Sequence, residues 1–144
     1  MSHTRVLLIE SAQFSHFVEN IIHKTSTHLV IVGCATDAVE ALELIRTQQP
    51  DVVLIDLCSN SSQCLEIITK IRARYPRLQI IGRLSLPNTG CFRPAIRAGV
   101  TGFINDQTSL AELREAIRTV RQGFAYLPPN LARQFVLGLQ RQPI

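Results

Sequence analysis

No apolar run in this 144-residue chain approaches the ~18 residues that a membrane span requires. The longer stretches, such as Leu29 to Ala35, end far short of it, and Glu10 interrupts the N-terminal apolar run before it could serve as a signal peptide. No membrane contact is expected, and the location read from this pattern is cytoplasmic. The four cysteines, at 34, 58, 64 and 91, include no C-x-x-C pair. That removes the usual signature of a zinc or redox centre and leaves small buried hydrophobes or stray thiols. Lysine is scarce, with Lys24 and Lys70 standing against 13 arginines. The resulting net charge of +4 is mild enough for a solvated surface to explain it.

What the chain does have is repetition. With 46% hydrophobic residues it can bury roughly 70% of its unfolded surface around one core without a staple. Strand-like runs recur at Arg5–Ile9, His28–Cys34, Asp51–Leu57, Leu78–Ile81 and Gly102–Asn105, leaving room for one helix between successive strands. The intervals carry helical stripes: Phe14, Phe17, Val18, Ile21 and Ile22; Ala38, Ala41, Leu42 and Ile45; Leu65, Ile68 and Ile71; Leu110, Leu113, Ile117 and Val120. Asp37 with Glu40, and Ser109 with Glu112, read as capping boxes. Strands that are apolar without alternation are buried on both faces, which makes the sheet parallel. The pattern predicts an α/β fold, a (βα)5 flavodoxin-like sandwich with strand order 2-1-3-4-5.

In such a sheet the chemistry sits beyond the carboxyl ends of the strands, where the order reverses. That edge gathers Glu10 and Ser11, Asp56 to Asn60, Leu84 and Ser85, and Asp106. A flavin phosphate loop after the first strand is excluded, because Glu10–Phe14 contains no glycine. A cobalamin ligand is excluded by the lack of any histidine beyond His28, and the histidines at 3, 16, 23 and 28 show no metal spacing. A dinucleotide fingerprint is absent. Arg114, Arg118 and Arg121 fall on one helical face, which is either an ordinary solvated surface or a docking face.

Arg5-Val-Leu-Leu-Ile-Glu-Ser11, Pro50-Asp-Val-Val-Leu-Ile-Asp-Leu57, Ala98-Gly-Val-Thr-Gly-Phe-Ile104 and Ser109-Leu-Ala-Glu-Leu113 together resemble the receiver domain of bacterial two-component response regulators. The similarity is closest to the NarL/LuxR type and covers about residues 4 to 128. It implies a CheY-like receiver over 1–126, followed by a linker or C-terminal helix over 127–144 that in this subfamily leads to a helix-turn-helix domain. It also implies that Asp56 is the phospho-acceptor position, that Glu10 and Ser11 stand at the acidic pair that holds Mg²⁺, and that Leu84, or Ser85 after a one-residue slip, stands at the Ser/Thr switch. Phe103 matches the aromatic switch position, or is a core aromatic, and Asp106 falls where the family carries a lysine.

These departures have a physical direction. Ser11 removes a carboxylate from the Mg²⁺ site, Leu84 removes a hydroxyl, and Asp106 reverses a charge that phosphoryl transfer relies on. The loop Leu57–Gln63 lacks the family's proline and glycine, and Pro94 predicts a shortened fourth helix with Arg93 pushed away from α geometry. The chain is therefore expected to be an atypical receiver, not an enzyme, working in signal transduction and transcription regulation through protein contact or dimerisation. The alternative is a conventional receiver phosphorylated on Asp56 by a histidine kinase. No cofactor is expected, with Mg²⁺ weak if bound at all by Glu10 and Asp56. The expected partners are a second copy in a homodimer, through Arg114, Arg118 and Arg121, and a histidine kinase if the pocket works. DNA would be reached only through a further C-terminal domain.

Overall fold

The structure is a computed structural model that describes residues 3–9, 28–57, 61–84 and 90–141. Its strands are β1 (Thr4–Ile9), β2 (Leu29–Ala35), β3 (Val52–Asp56), β4 (Gln79–Arg83) and β5 (Gly102–Ile104). The helices among the described residues are α1 (Ala38–Gln48), α2 (Ser61–Arg74), α3 (Phe92–Ala98), α4 (Leu110–Arg121) and α5 (Pro129–Arg141). Every strand pairing is parallel, in the order β2-β1-β3-β4-β5, as the burial pattern requires. The apolar stripe from Phe14 to Ile22 lies outside the described residues.

Successive strand residues point to opposite faces, and each face has its own core. Leu7, Ile9, Val53, Ile55, Ile80 and Phe103 pack with Ala41 and Ile45 of α1, Ile68 and Ile71 of α2, and Phe92 and Ala95 of α3. On the other face Val6, Leu8, Val52, Leu54, Ile81 and Ile104 meet Leu113, Ala116, Ile117 and Val120 of α4. Both faces being dry explains why the strands read as unbroken apolar runs.

Local chemistry sets the helix ends. Asp37 accepts from the Glu40 amide at 2.8 Å to start α1. At α4 the Ser109 hydroxyl accepts from the Glu112 amide while the Glu112 carboxylate accepts from the Ser109 amide, both at 3.1 Å, satisfying two otherwise orphaned donors. Helix α3 has only seven residues. The expectation that Pro94 drives Arg93 out of α geometry does not hold, since Arg93 is helical. Pro94 is the third residue of the helix, within the first turn, where its missing N–H has no intrahelical acceptor to lose. The guanidinium of Arg72 donates to Pro76 O at 2.7 Å and Gly99 O at 2.9 Å, joining the ends of α2 and α3; burial pushes its pKa down.

Gly82 allows β3 and β4 to share one core layer. A Cβ there would collide with Leu57 Cδ1 and reach Val100 Cγ1 at 3.5 Å. Gly82→Ala is expected to cost about 1–3 kcal/mol by overpacking, read as a lower urea midpoint at unchanged slope.

Candidate functional site

β3 delivers Asp56 to the carboxyl edge of the sheet, and the carboxylate is 2% exposed. Its register partner on β4 is Arg83, and directly paired residues of neighbouring strands share a face. Arg83 Nη1 donates to Asp56 Oδ1 at 3.2 Å, while Nη2 donates to Asp106 Oδ1. One guanidinium therefore ties the ends of β3 and β4 to the turn after β5. The Arg83 side chain is 14% exposed and that of Asp106 52%, so the Asp56 arm is the desolvated one. At an effective dielectric near 20, a contact of this length is worth on the order of 4 kcal/mol before the cost of removing both charges from water.

Asp106 is presented by a tight turn. Asn105 Oδ1 accepts from the Gln107 amide at 2.9 Å, and Thr108 Oγ1 accepts from the Asn105 amide at 2.9 Å, before the Ser109 cap begins α4. Beneath Asp56, the Cys64 thiol from α2 donates to Asp56 O at 3.0 Å and the Cys91 thiol to Leu57 O at 3.1 Å. These two cysteines are the small buried residues expected, with a positioning task besides: they hold the end of β3.

Leu84 is 1% exposed, its amide donates to Ile104 O at 2.9 Å, and it belongs to the core with Leu57, Cys91, Phe92 and Phe103. An aliphatic side chain thus stands at one of the two positions, Leu84 or Ser85, that the resemblance offers for the switch hydroxyl. Phe103 is 1% exposed, with its ring edge-on to Phe92 at 4.8 Å between centroids. Glu10, Ser11 and Ser85 lie outside the described residues, as does the loop 58–60.

The arginines of α4 stand apart from this site. Arg114, Arg118 and Arg121 line a groove of about 590 Å³ beside Thr4, His28 and Leu29. Arg118 pairs with Glu115, whereas Arg121 donates to Thr4 Oγ1 at 3.2 Å and lies 3.8 Å from Asp51. Arg121 therefore fastens α4 to the sheet as well as facing solvent.

Arg83 is the residue that sequence reasoning missed. Counting only the apolar residues ends the fourth strand at Ile81, two residues short of Arg83. The signal was Gly82-Arg83-Leu84, where an arginine continues an apolar run. Extending β4 by two residues places it opposite Asp56.

The fold implies Mg²⁺ at this edge, where Asp56 is described and the acidic-pair positions Glu10 and Ser11 lie outside the described residues. Mg²⁺ needs near-octahedral oxygen ligands, and Asp56 Oδ1 already takes a hydrogen bond from a fixed cation. Among the described residues, no group of three or more His, Cys, Asp or Glu side chains is arranged for a metal. No helix of the described residues is long and apolar enough to cross a membrane.

A doubly covered parallel sheet that presents one buried aspartate at its switch point is the arrangement that the resemblance to a receiver domain implies. The chain belongs to the response regulator receiver domain family, whose profile matches residues 6–118. It is 30% identical over 109 residues to the response regulator GacA of Pseudomonas viridiflava, covering 76% of this chain and 51% of that one. With the transcriptional activator protein ExaE of Pseudomonas putida it shares 32% identity over 104 residues, covering 72% and 48%. The crystal structure of a LuxR-family two-component response regulator from Aurantimonas sp. SI85-9A1 superposes with a TM-score of 0.82 at 23% identity, covering 97% of this chain and 100% of that one. The chain spans about half the length of these curated relatives.

Proposed function

We propose that this chain is an atypical receiver, acting in two-component signal transduction and transcription regulation through protein contact or dimerisation rather than through ordinary phosphorylation of Asp56. The observation that carries the reading is the Arg83 guanidinium bonded to both Asp56 and Asp106. A phospho-acceptor needs a carboxylate oxygen free to attack phosphorus and positive charge aimed at the transferred oxygens. Here the charge of Arg83 is already divided between two carboxylates, Asp106 stands at the lysine position, and Leu84 supplies no hydroxyl. A Mg²⁺ ion at Asp56 would meet the positive charge of Arg83, which lies 3.2 Å from Oδ1. The domain is thus a signalling part rather than an enzyme.

On this reading residues 1–126 form the receiver in the cytoplasm and 127–144 a linker or C-terminal helix. DNA is reached only through a C-terminal domain of a longer regulator, as the half-length match to the transcriptional activator suggests. The groove under Arg114, Arg118 and Arg121 is the face for a second copy.

Incubation with Mg²⁺ and acetyl phosphate, followed by intact mass, tests the reading. The expected result is no phosphoryl adduct. A stoichiometric adduct that disappears in Asp56→Asn would establish the conventional, phospho-accepting receiver instead.

A further inference from the structure

Strands β3 and β4 carry Asp56 and Arg83 at their carboxyl ends, and a separate pocket opens at their amino ends. It measures about 400 Å³ and is lined by Ile45, Pro50, Tyr75 and Leu78, with Arg74 and Arg77 beside them. That volume falls within the roughly 300–1,000 Å³ of small-molecule sites, which join an apolar lining to a few placed polar groups. Both walls are fixed by the chain itself. On one side Gln49 takes a left-handed φ of 48° while its amide donates to Ile45 O at 3.0 Å, and buried Pro50 follows. The Asp51 amide then donates to Arg5 O at 2.8 Å, tying this wall to β1. On the other side the Leu78 amide donates to Tyr75 O at 3.1 Å, and Arg72 Nη1 donates to Pro76 O at 2.7 Å. The pocket is therefore preformed, with little ordering left for a ligand to impose.

We propose that this pocket binds a small aryl carboxylate, its ring against the apolar lining and its carboxylate against Arg74 and Arg77. Charge chooses the head group. No Asp or Glu is among the described residues that line the pocket, and neither Arg74 nor Arg77 has an ion-pair partner among the described residues. Arg46, next to Ile45 in sequence, differs in being paired with Glu43. A guanidinium binds a carboxylate through paired, charge-assisted hydrogen bonds, and a ligand body that excludes water from the lining strengthens them. The lining chooses the body. An inorganic anion would leave Ile45, Pro50 and Leu78 uncovered and gain nothing from them, whereas a flat ring covers them, can lie against Tyr75 and freezes fewer rotatable bonds than an acyl chain. The site goes beyond the preceding reading and does not rest on it, because the pocket lies at the opposite end of β3 and β4 from Asp56.

An amide-detected NMR titration of the full chain tests it, with 2-naphthoate as the probe and uncharged 2-naphthamide as its control. 2-Naphthoate is expected to shift the amides of Gln49, Tyr75, Arg77 and Leu78 with a Kd of about 1 mM or tighter, and 2-naphthamide to bind about fivefold or more weakly. Arg74→Gln combined with Arg77→Gln, both at exposed positions, is expected to weaken 2-naphthoate by about fivefold or more and to leave 2-naphthamide unchanged. No shift at those four amides, or shifts confined to the groove of Arg114 and Arg118, overturns the site. Equal affinity for the two probes, or undiminished 2-naphthoate binding in the double variant, overturns the assignment of a carboxylate ligand.

Discussion

Arg83→Ala is expected to destabilise the domain by about 3–5 kcal/mol, the usual result of removing one partner from a buried ion pair. Asp56 is 2% exposed, so water cannot replace the guanidinium without opening the edge of the sheet. Asp106 loses its contact too, but at 52% side-chain exposure it is solvated and contributes about 0–1 kcal/mol. The two arms are therefore unequal, and Asp106→Asn alone should scarcely move the urea midpoint. Asp56→Asn combined with Arg83→Met should recover most of the lost stability, because the pair leaves together and the methionine fills the stem's volume. Urea unfolding of the parent chain, Asp56→Asn, Arg83→Met and their double variant closes a double-mutant cycle. A cost below about 1 kcal/mol for Arg83→Ala would mean that Asp56 is not held by this cation, and the reading of the site as charge-satisfied would fail with it.

Much of the fold was legible in the sequence because burial on both faces leaves a plain mark. Val52 to Ile55 and Val6 to Leu8 are wholly buried, and nothing but apolar residues can occupy such positions in either alternation phase. The caps at Asp37 and Ser109 were readable for a different reason, since both partners lie three residues apart. The electrostatics of the site were not readable in the same way. Asp56, Arg83 and Asp106 come from three strand ends, and an arginine at the end of an apolar run acquires meaning only once its register partner is known. Pro94 misled because a local rule was applied without the helix start: counted from Cys91, it falls where proline is tolerated.

The same distinction governs the C-terminal stretch. A C-terminal helix is expected over 127–144, but the surface that receives Leu131 and Phe135 is made by α3 and β5, more than twenty residues away in sequence. Together the two halves of the molecule show one economy: the charged edge is closed by Arg83 and the strand edge by Tyr126. Both contacts are made from within the chain, and a change at either one must begin by displacing an internal contact.

Phe103→Ala is expected to cost about 3–5 kcal/mol, lowering the melting temperature by roughly 10–20 °C for a chain of this size. The ring is 1% exposed and meets Phe92 edge-on at 4.8 Å and 60°, so alanine loses both the apolar transfer and an aromatic pair worth about 0.5–1.5 kcal/mol beyond its area. Phe103→Leu keeps most of the volume and should cost under about 1.5 kcal/mol. The contrast separates the two roles the sequence left open for this residue. A ring that spends much of its time swung out to solvent has little burial to lose, and its alanine variant would fall by under about 1 kcal/mol. A ring packed on Phe92 loses the full amount, and the loss should shrink when Phe92 is already leucine, because the pair energy is then absent from both members of the comparison. Thermal unfolding of the single and double variants measures it directly, and a penalty for Phe103→Ala that is small and independent of Phe92 would return Phe103 to the mobile role.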